Sequence, residues 1–139
     1  MKVVSKYLSV AVKADVDIKD ITGPVQDAVR ESEIKDGTVT IFVPGSTGVI
    51  TTMEYEPGLI KDIPLALERL APSGIDYAHH QTWHDDNGKS HVRATIMGPS
   101  LVVPIIDGKV IHGTWQQIVF MNLDTSSRQR EVVLQIMGE

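Results

Sequence analysis

The sequence predicts an α+β fold: a mostly antiparallel β-sandwich or curled sheet with two or three helices on one side. Three observations carry this. Several short segments alternate apolar and polar residues with period 2. Two segments in the first half follow helical spacing instead. Asp107-Gly108 sits between two apolar runs as a two-residue hairpin turn, which joins antiparallel strands. Strands collected late and helices collected early read as α+β rather than as alternating βαβ units.

Each element follows in order. Val4, Leu8, Val10 and Val12 recur with period 2 and predict a strand over 3–13. Ile21, Val25, Ala28 and Val29 keep helical spacing. Thr22 is the expected cap of that helix, Pro24 falls in its first turn, and the helix is expected to end near Ser32. Asp36-Gly37 is a turn. Residues 38–44 (TVTIFVP) are rich in β-branched side chains and predict a strand. Pro44-Gly45-Ser46-Thr47-Gly48 interrupts it, and Val49 to Met53 resumes extended structure.

A second helix is predicted between Pro57 and Leu70, with Ile60, Ile63, Leu67 and Leu70 as its apolar face. Pro64 inside it predicts a kink or a late start. His91 to Met97 reads as a strand: Val92, Ala94 and Ile96 on the core face, His91, Arg93 and Thr95 on the other. Leu101–Ile106 and Lys109–Ile111 flank the Asp107-Gly108 turn. Trp115–Leu123 and Glu131–Met137 predict a further hairpin around residues 124–130.

Composition bounds the function. The 139 residues match one domain, 1–139, long enough to bury a core without disulfide or structural metal. Thirteen basic against 18 acidic residues give a net charge of −5, a poor match to broad nucleic-acid or anionic-membrane binding. Cysteine is absent, which excludes thiolate metal sites and cysteine nucleophiles. The first residues lack the continuous apolar core of a signal peptide, and no apolar run approaches the length of a membrane span. A cytoplasmic protein is the expectation.

The histidines carry the strongest chemical signal. Four of the five lie in YAHHQTWHDDNGKSH: His79, His80, His84 and His91. Imidazoles beside Asp85, Asp86 and Asn87 suit a divalent ion such as Zn, Mn or Ni. The spacing matches no standard zinc motif, and a polar loop with solvated histidines has the same composition. On the strand reading, Arg93 shares the solvent face with His91. There it would either hold a phosphate in bidentate fashion or form a surface salt bridge. The glycines around Ser46 and Thr47 free backbone N–H groups for an anion, although a plain strand-end turn needs the same residues. Glu54 is a candidate ligand or general base at a strand end. Trp115 and Gln116 would either line a pocket or, for the tryptophan, anchor the core.

Ser100-Leu-Val-Val103-Pro-Ile105-Ile-Asp-Gly108, followed after four residues by Gly113-Thr114-Trp115-Gln116, resembles the signature of the YjbQ-like family, also called the secondary thiamine-phosphate synthase family. Tyr77-x-His79 and Ser90-His91 match upstream elements of that pattern. Ser46-Thr47 and Glu54 fall in the region of its His-Thr-Thr/Ser-Ala…Asn-Glu motif. Here Gly45 replaces the motif's His, and Met53 replaces its Asn.

The resemblance covers the whole chain. It implies a one-domain α+β sandwich, a homotrimer, and weak thiamine-phosphate synthase activity in some members. That reaction couples a hydroxymethylpyrimidine diphosphate to a thiazole phosphate and releases diphosphate.

The combined expectation is a metal-assisted enzyme acting on a small phosphorylated heteroaromatic compound. A divalent ion (Zn, Mn, Ni or Mg) would be held by His79 and His91, with His84 or Glu54 as third ligand. Glu54, His79 and His91 are the catalytic candidates. Ser46, Thr47, Arg93, Trp115 and Gln116 are the substrate-binding candidates. The alternative is a trimeric metal- or small-molecule-binding protein without turnover.

Overall fold

The computed structural model describes residues 1–139. Eight strands form: β1 (Lys2–Val12), β2 (Asp17–Asp20), β3 (Gly37–Phe42), β4 (Gly48–Met53), β5 (Ser100–Ile106), β6 (Lys109–Val110), β7 (Gln117–Asn122) and β8 (Arg128–Gly138). The helices are α1 (Thr22–Ser32), α2 (Pro57–Leu70), α3 (Ala78–Trp83) and α4 (Gly88–Met97). Every strand pairing is antiparallel. One sheet has the order β1-β8-β3-β5-β6 and the other β2-β7-β4, so the predicted α+β sandwich is present.

Period-2 patterning explains the larger sheet. Val132, Leu134 and Ile136 of β8 and Val39 and Ile41 of β3 are fully buried on its inner face. They meet Ile50, Ile118 and Phe120 of the smaller sheet, and Val25, Ala28 and Val29 of α1 pack into the same core. Val49, Val119 and Met121 point the other way. They pack against Leu67 of α2 and Ala94 of α4. The smaller sheet is therefore covered on both faces, which is why Ile118–Met121 is a continuous apolar run rather than an alternating one. Each such fully buried side chain contributes about 1.5–3 kcal/mol of burial.

Local chemistry sets the helix ends, with two departures from expectation. Ile21, not Thr22, is the N-cap of α1. Thr22 Oγ1 instead donates to Asp20 Oδ1 (2.7 Å) and accepts from Ile118 N (2.9 Å), which fastens the helix start to β7. The α2 helix runs from Pro57 through Pro64, with the Glu56 carboxylate accepting from the Gly58 and Leu59 amides. Leu70 lies off its packed face and is 55% exposed.

The main correction is residues 91–97, which are helical rather than extended. The buried positions are Ser90, Arg93 and Ala94, with Met97 packed against the outer core; this is a 3.6-residue period. The alternating Val92 and Ile96 are 39% and 59% exposed. Seven residues are too few to separate the two periods when an arginine fills a buried position. His79 lies in α3. No helix is long and apolar enough to cross a membrane.

Candidate functional site

The chain passes between the two sheets twice at one corner of the sandwich. Residues 43–47 carry β3 into β4, and residues 123–127 carry β7 into β8. Because β3 neighbours β8 and β4 neighbours β7, the two crossovers run side by side. The Leu123 amide donates to the Thr47 carbonyl (2.9 Å), which ties them together. The N-terminal end of α4 arrives over the same corner. Between them lies a cavity of about 320 Å³ with no hydrophobic lining residue. Its walls are Pro44–Thr47, Asn87 and His91, Asp124, and Arg128–Glu131.

A hydrogen-bonded chain forms its floor. Thr47 Oγ1 donates to Asp124 Oδ2 (3.2 Å) and accepts from Arg130 Nη1 (3.1 Å). Asp124 also accepts from the Thr125 amide (2.8 Å) and from Arg128 Nη1 (2.7 Å). Burial pushes the Asp124 carboxyl up. The donors Thr125, Asn87, Arg128 and Thr47 outweigh burial and hold it below the usual carboxylate range. Arg130 is 5% exposed. Burial and the nearby Arg128 charge lower its pKa, yet a guanidinium remains a cation at neutral pH.

The imidazole pair stands at the edge of this cavity. The His79 and His91 ring centroids are 4.4 Å apart, tilted by 40°. His79 Nε2 is 3.2 Å from Asp85 Oδ2. The Asn87 amide sits between the two carboxylates. One orientation donates to Asp124 Oδ1 (3.3 Å), and the other to Asp85 (3.1 Å) and His79 Nε2 (3.2 Å). Burial, then the proximity of His79, lowers the pKa of His91, so its imidazole is neutral at pH 7.

Of the residues singled out from sequence, Ser46, Thr47 and His91 line the cavity, and His79 stands against His91. The others do not join them. His84 is the left-handed C-cap of α3, exposed, with its amide donating to the His80 carbonyl (2.7 Å). Glu54 follows the far end of β4, roughly 17 Å of strand away from Gly48.

Arg93 is not on a solvent face: it is 2% exposed. Its Nε and Nη2 donate to the Ala71 carbonyl (3.0 and 2.8 Å), and Nη2 also donates to Glu68 Oε2 (2.9 Å). It fastens α4 to the end of α2 rather than facing a ligand. Trp115 is 74% exposed, so it is no core anchor. Gln116 Nε2 donates to Thr52 Oγ1 (3.2 Å) beside a separate, partly apolar cavity of about 180 Å³.

No group of three or more His, Cys, Asp or Glu side chains converges as an ion site. Two imidazoles of the expected ligand set lie together, and the third is elsewhere. A larger groove of about 420 Å³ runs beside α1, but its cations Arg30, Lys35 and Lys109 are exposed.

Asn87, Asp124, Arg128 and Arg130 were missed from sequence. The signal for Arg130 was present: it shares strand parity with Val132, Leu134 and Ile136, so a charge occupies a core-facing position.

The comparisons agree with this architecture. The family model described as UPF0047 protein YjbQ-like matches residues 6–139. A UPF0047 protein from Archaeoglobus fulgidus is 39% identical over 118 residues, covering 85% of this chain and 90% of the relative. One from Methanothermobacter thermautotrophicus is 34% identical over 139 residues, covering 100% of this chain and 95% of the relative. The crystal structure of a protein from Sulfolobus solfataricus superposes with a TM-score of 0.88 at 32% identity, covering 99% of this chain and 100% of that one. One from Clostridium acetobutylicum gives 0.86 at 34% identity, covering 95% and 99%. With the match running over both crossovers, both histidine helices and both sheets, the chain belongs to the UPF0047, YjbQ-like family.

Proposed function

We propose that the polar cavity between the crossovers binds a small phosphorylated compound and that the chain is a transferase of the thiamine-phosphate synthase type acting on it. The observation that carries this is the cavity's composition: hydroxyls, an imidazole and two arginines, with Asp124 paired to Arg128 and Glu131 at the wall, and no hydrophobic lining residue. Such a lining suits a phosphate or diphosphate and is a poor general apolar pocket. In the coupling reaction the thiazole nitrogen attacks the pyrimidine methylene carbon, the carbon–oxygen bond breaks, and diphosphate leaves with the electron pair. The cavity's cations would stabilise the negative charge that develops on the leaving group.

His79 and His91 supply two adjacent imidazoles for a divalent ion. Alone they do not complete an ion site, because no third donor converges with them. A bound ion would supply charge neutralisation for diphosphate. Without one, neutral His91 offers a hydrogen bond to a phosphate oxygen. The test pairs two measurements on the wild type and on the His79→Ala/His91→Ala variant: elemental analysis, and product formation from hydroxymethylpyrimidine diphosphate plus thiazole phosphate. Product from the wild type alone supports the enzyme.

The second reading is a trimeric binding protein without turnover. It is favoured by the exposed strip of Trp115, Ile111, Val102 and Ile106, whose side chains are 44–74% exposed. Ligand binding with no product, in a stable trimer, would select it. The homotrimer that the family resemblance implies is proposed to bury this strip.

A further inference from the structure

We propose that Arg130 is the phosphate-binding residue of this site, a cation kept without a partner so that a substrate phosphate or diphosphate supplies its counter-charge. This rests on reading the polar cavity as a site for a phosphorylated compound. The guanidinium is 5% exposed. Its bonds go only to uncharged oxygens: Nη1 to Thr47 Oγ1 (3.1 Å) and to Asn122 Oδ1 (3.5 Å). Nη2 is buried with no hydrogen-bond partner at all. No carboxylate forms an ion pair with it within 4.0 Å, because the nearby Asp124 is bound to Arg128 (2.7 Å).

A buried charge without a partner is costly, and proteins otherwise pair such groups or leave them in water. The stacked ring of Phe120, 6.0 Å from Cζ, compensates only in part.

The backbone around Nη2 points the same way. A Cβ on Gly45 or on Gly48 would stand 2.8 Å from Nη2, and at Gly45 it would meet only the Arg130 guanidinium. Gly45 also has φ +151°, a conformation that other residues rarely adopt. Gly45 in the β3–β4 crossover and Gly48 at the start of β4 therefore leave the edge of the guanidinium free of side chains. Ser46 lies between them, exposed, with a hydroxyl that can donate to a phosphate oxygen, while the Thr47 hydroxyl donates to Asp124 and holds the guanidinium. Arg128, half exposed, adds a second cation at the rim of the cavity. The ligand class that fits is a phosphate monoester or diphosphate, whose oxygens can engage a guanidinium in bidentate fashion.

The test is calorimetric titration of inorganic phosphate and diphosphate into the wild-type protein and into Arg130→Gln, Arg130→Lys and Gly45→Ala, with acetate as control and circular dichroism to check folding. The expected result is diphosphate binding that weakens with salt, at least ten-fold loss in Arg130→Gln, partial loss in Arg130→Lys, and loss in Gly45→Ala, whose methyl crowds Nη2. Wild-type protein that binds neither phosphate nor diphosphate at millimolar concentration overturns the proposal. So does unchanged affinity in a folded Arg130→Gln. If Arg130→Gln does not fold, unchanged affinity in both Arg130→Lys and Gly45→Ala overturns it. Arg130-dependent binding without any coupling product would leave this site standing while refuting the transferase. Coupling that is insensitive to Arg130→Lys and Gly45→Ala would do the reverse.

Discussion

His79 and His91 face one another across the junction of α3 and α4, ring centroids 4.4 Å apart, although eleven residues lie between them in sequence. Two imidazoles at this distance do not both protonate readily. His91, the more shielded, resists. In an NMR pH titration His91 is expected to protonate below the ordinary histidine value of 6.5. In His79→Ala its midpoint should move back up, because a like charge has gone. No movement would mean that burial alone sets it. Its folded pKa lies below the unfolded one, so the unfolded chain binds the extra proton first. The stability it contributes is therefore intact above pH 6.5 and lost as pH falls from there through the lowered folded value.

Asp124 repeats that logic at lower pH. Its carboxyl is held below the ordinary aspartate value of 3.8 by four donors. Stability from this group is present above that value and lost as pH falls through the depressed one. Asp124→Asn should flatten the acid limb of a pH–stability curve measured by urea unfolding. It should also loosen Arg128 and Thr47, and so weaken diphosphate retention.

Arg93→Ala tests a structural role. The substitution removes two hydrogen bonds to the Ala71 carbonyl and leaves a void between α2 and α4. The expected cost is about 2–4 kcal/mol in denaturant unfolding. Anion affinity per folded molecule should be unchanged. Loss of phosphate binding at full stability would return Arg93 to the site.

Gly37→Ala tests the sheet register. A Cβ at residue 37 would lie 2.0 Å from the Met137 carbonyl oxygen, where β3 crosses β8 with Gly138 opposite. Backbone cannot yield as a side-chain tip does. A destabilisation of about 1–3 kcal/mol is expected from overpacking, read as a lowered thermal midpoint.

Trp115→Ala separates the exposed strip from the polar cavity. In a monomer a residue 74% exposed should cost less than about 0.5 kcal/mol. In the proposed homotrimer the same change should shift mass toward smaller species in light scattering. An unchanged mass distribution would place the subunit contact elsewhere.

Most of the sheet framework was legible because half-buried strands alternate, and β1, β3, β5 and β8 do so cleanly. The turn at Asp107-Gly108 lies where expected, with Gly108 at φ +74°. The histidine segment was misread because α3 and α4 are short and bury polar or small residues, Ser90, Arg93 and Ala94, where a helix usually shows an apolar stripe. Val92, Ala94 and Ile96 then imitate a strand. The pairing of His79 with His91 was expected, but with His91 on a strand; two helices bring the rings together instead. The arginines of β8 were passed over because a loop-flanking Ser-Arg-Gln-Arg reads as solvated charge. Only strand parity with Val132 shows that Arg130 turns inward. Glu54, Trp115 and Gln116 were assigned to the site by side-chain chemistry, which carries no position in the fold. The strand β4 carries Glu54 to its far end, and the loop before β7 places Gln116 beside the separate cavity at Thr52 and leaves Trp115 exposed.

The most direct measurement is a side-chain NMR titration of the folded protein with inorganic diphosphate, following the arginine guanidinium and histidine ring signals together. The expected result is that the Arg130 and His91 signals shift saturably with a common affinity, while His112, which lines the cavity at Thr52, stays fixed. Shifts confined to His112, or none at any residue, would contradict it.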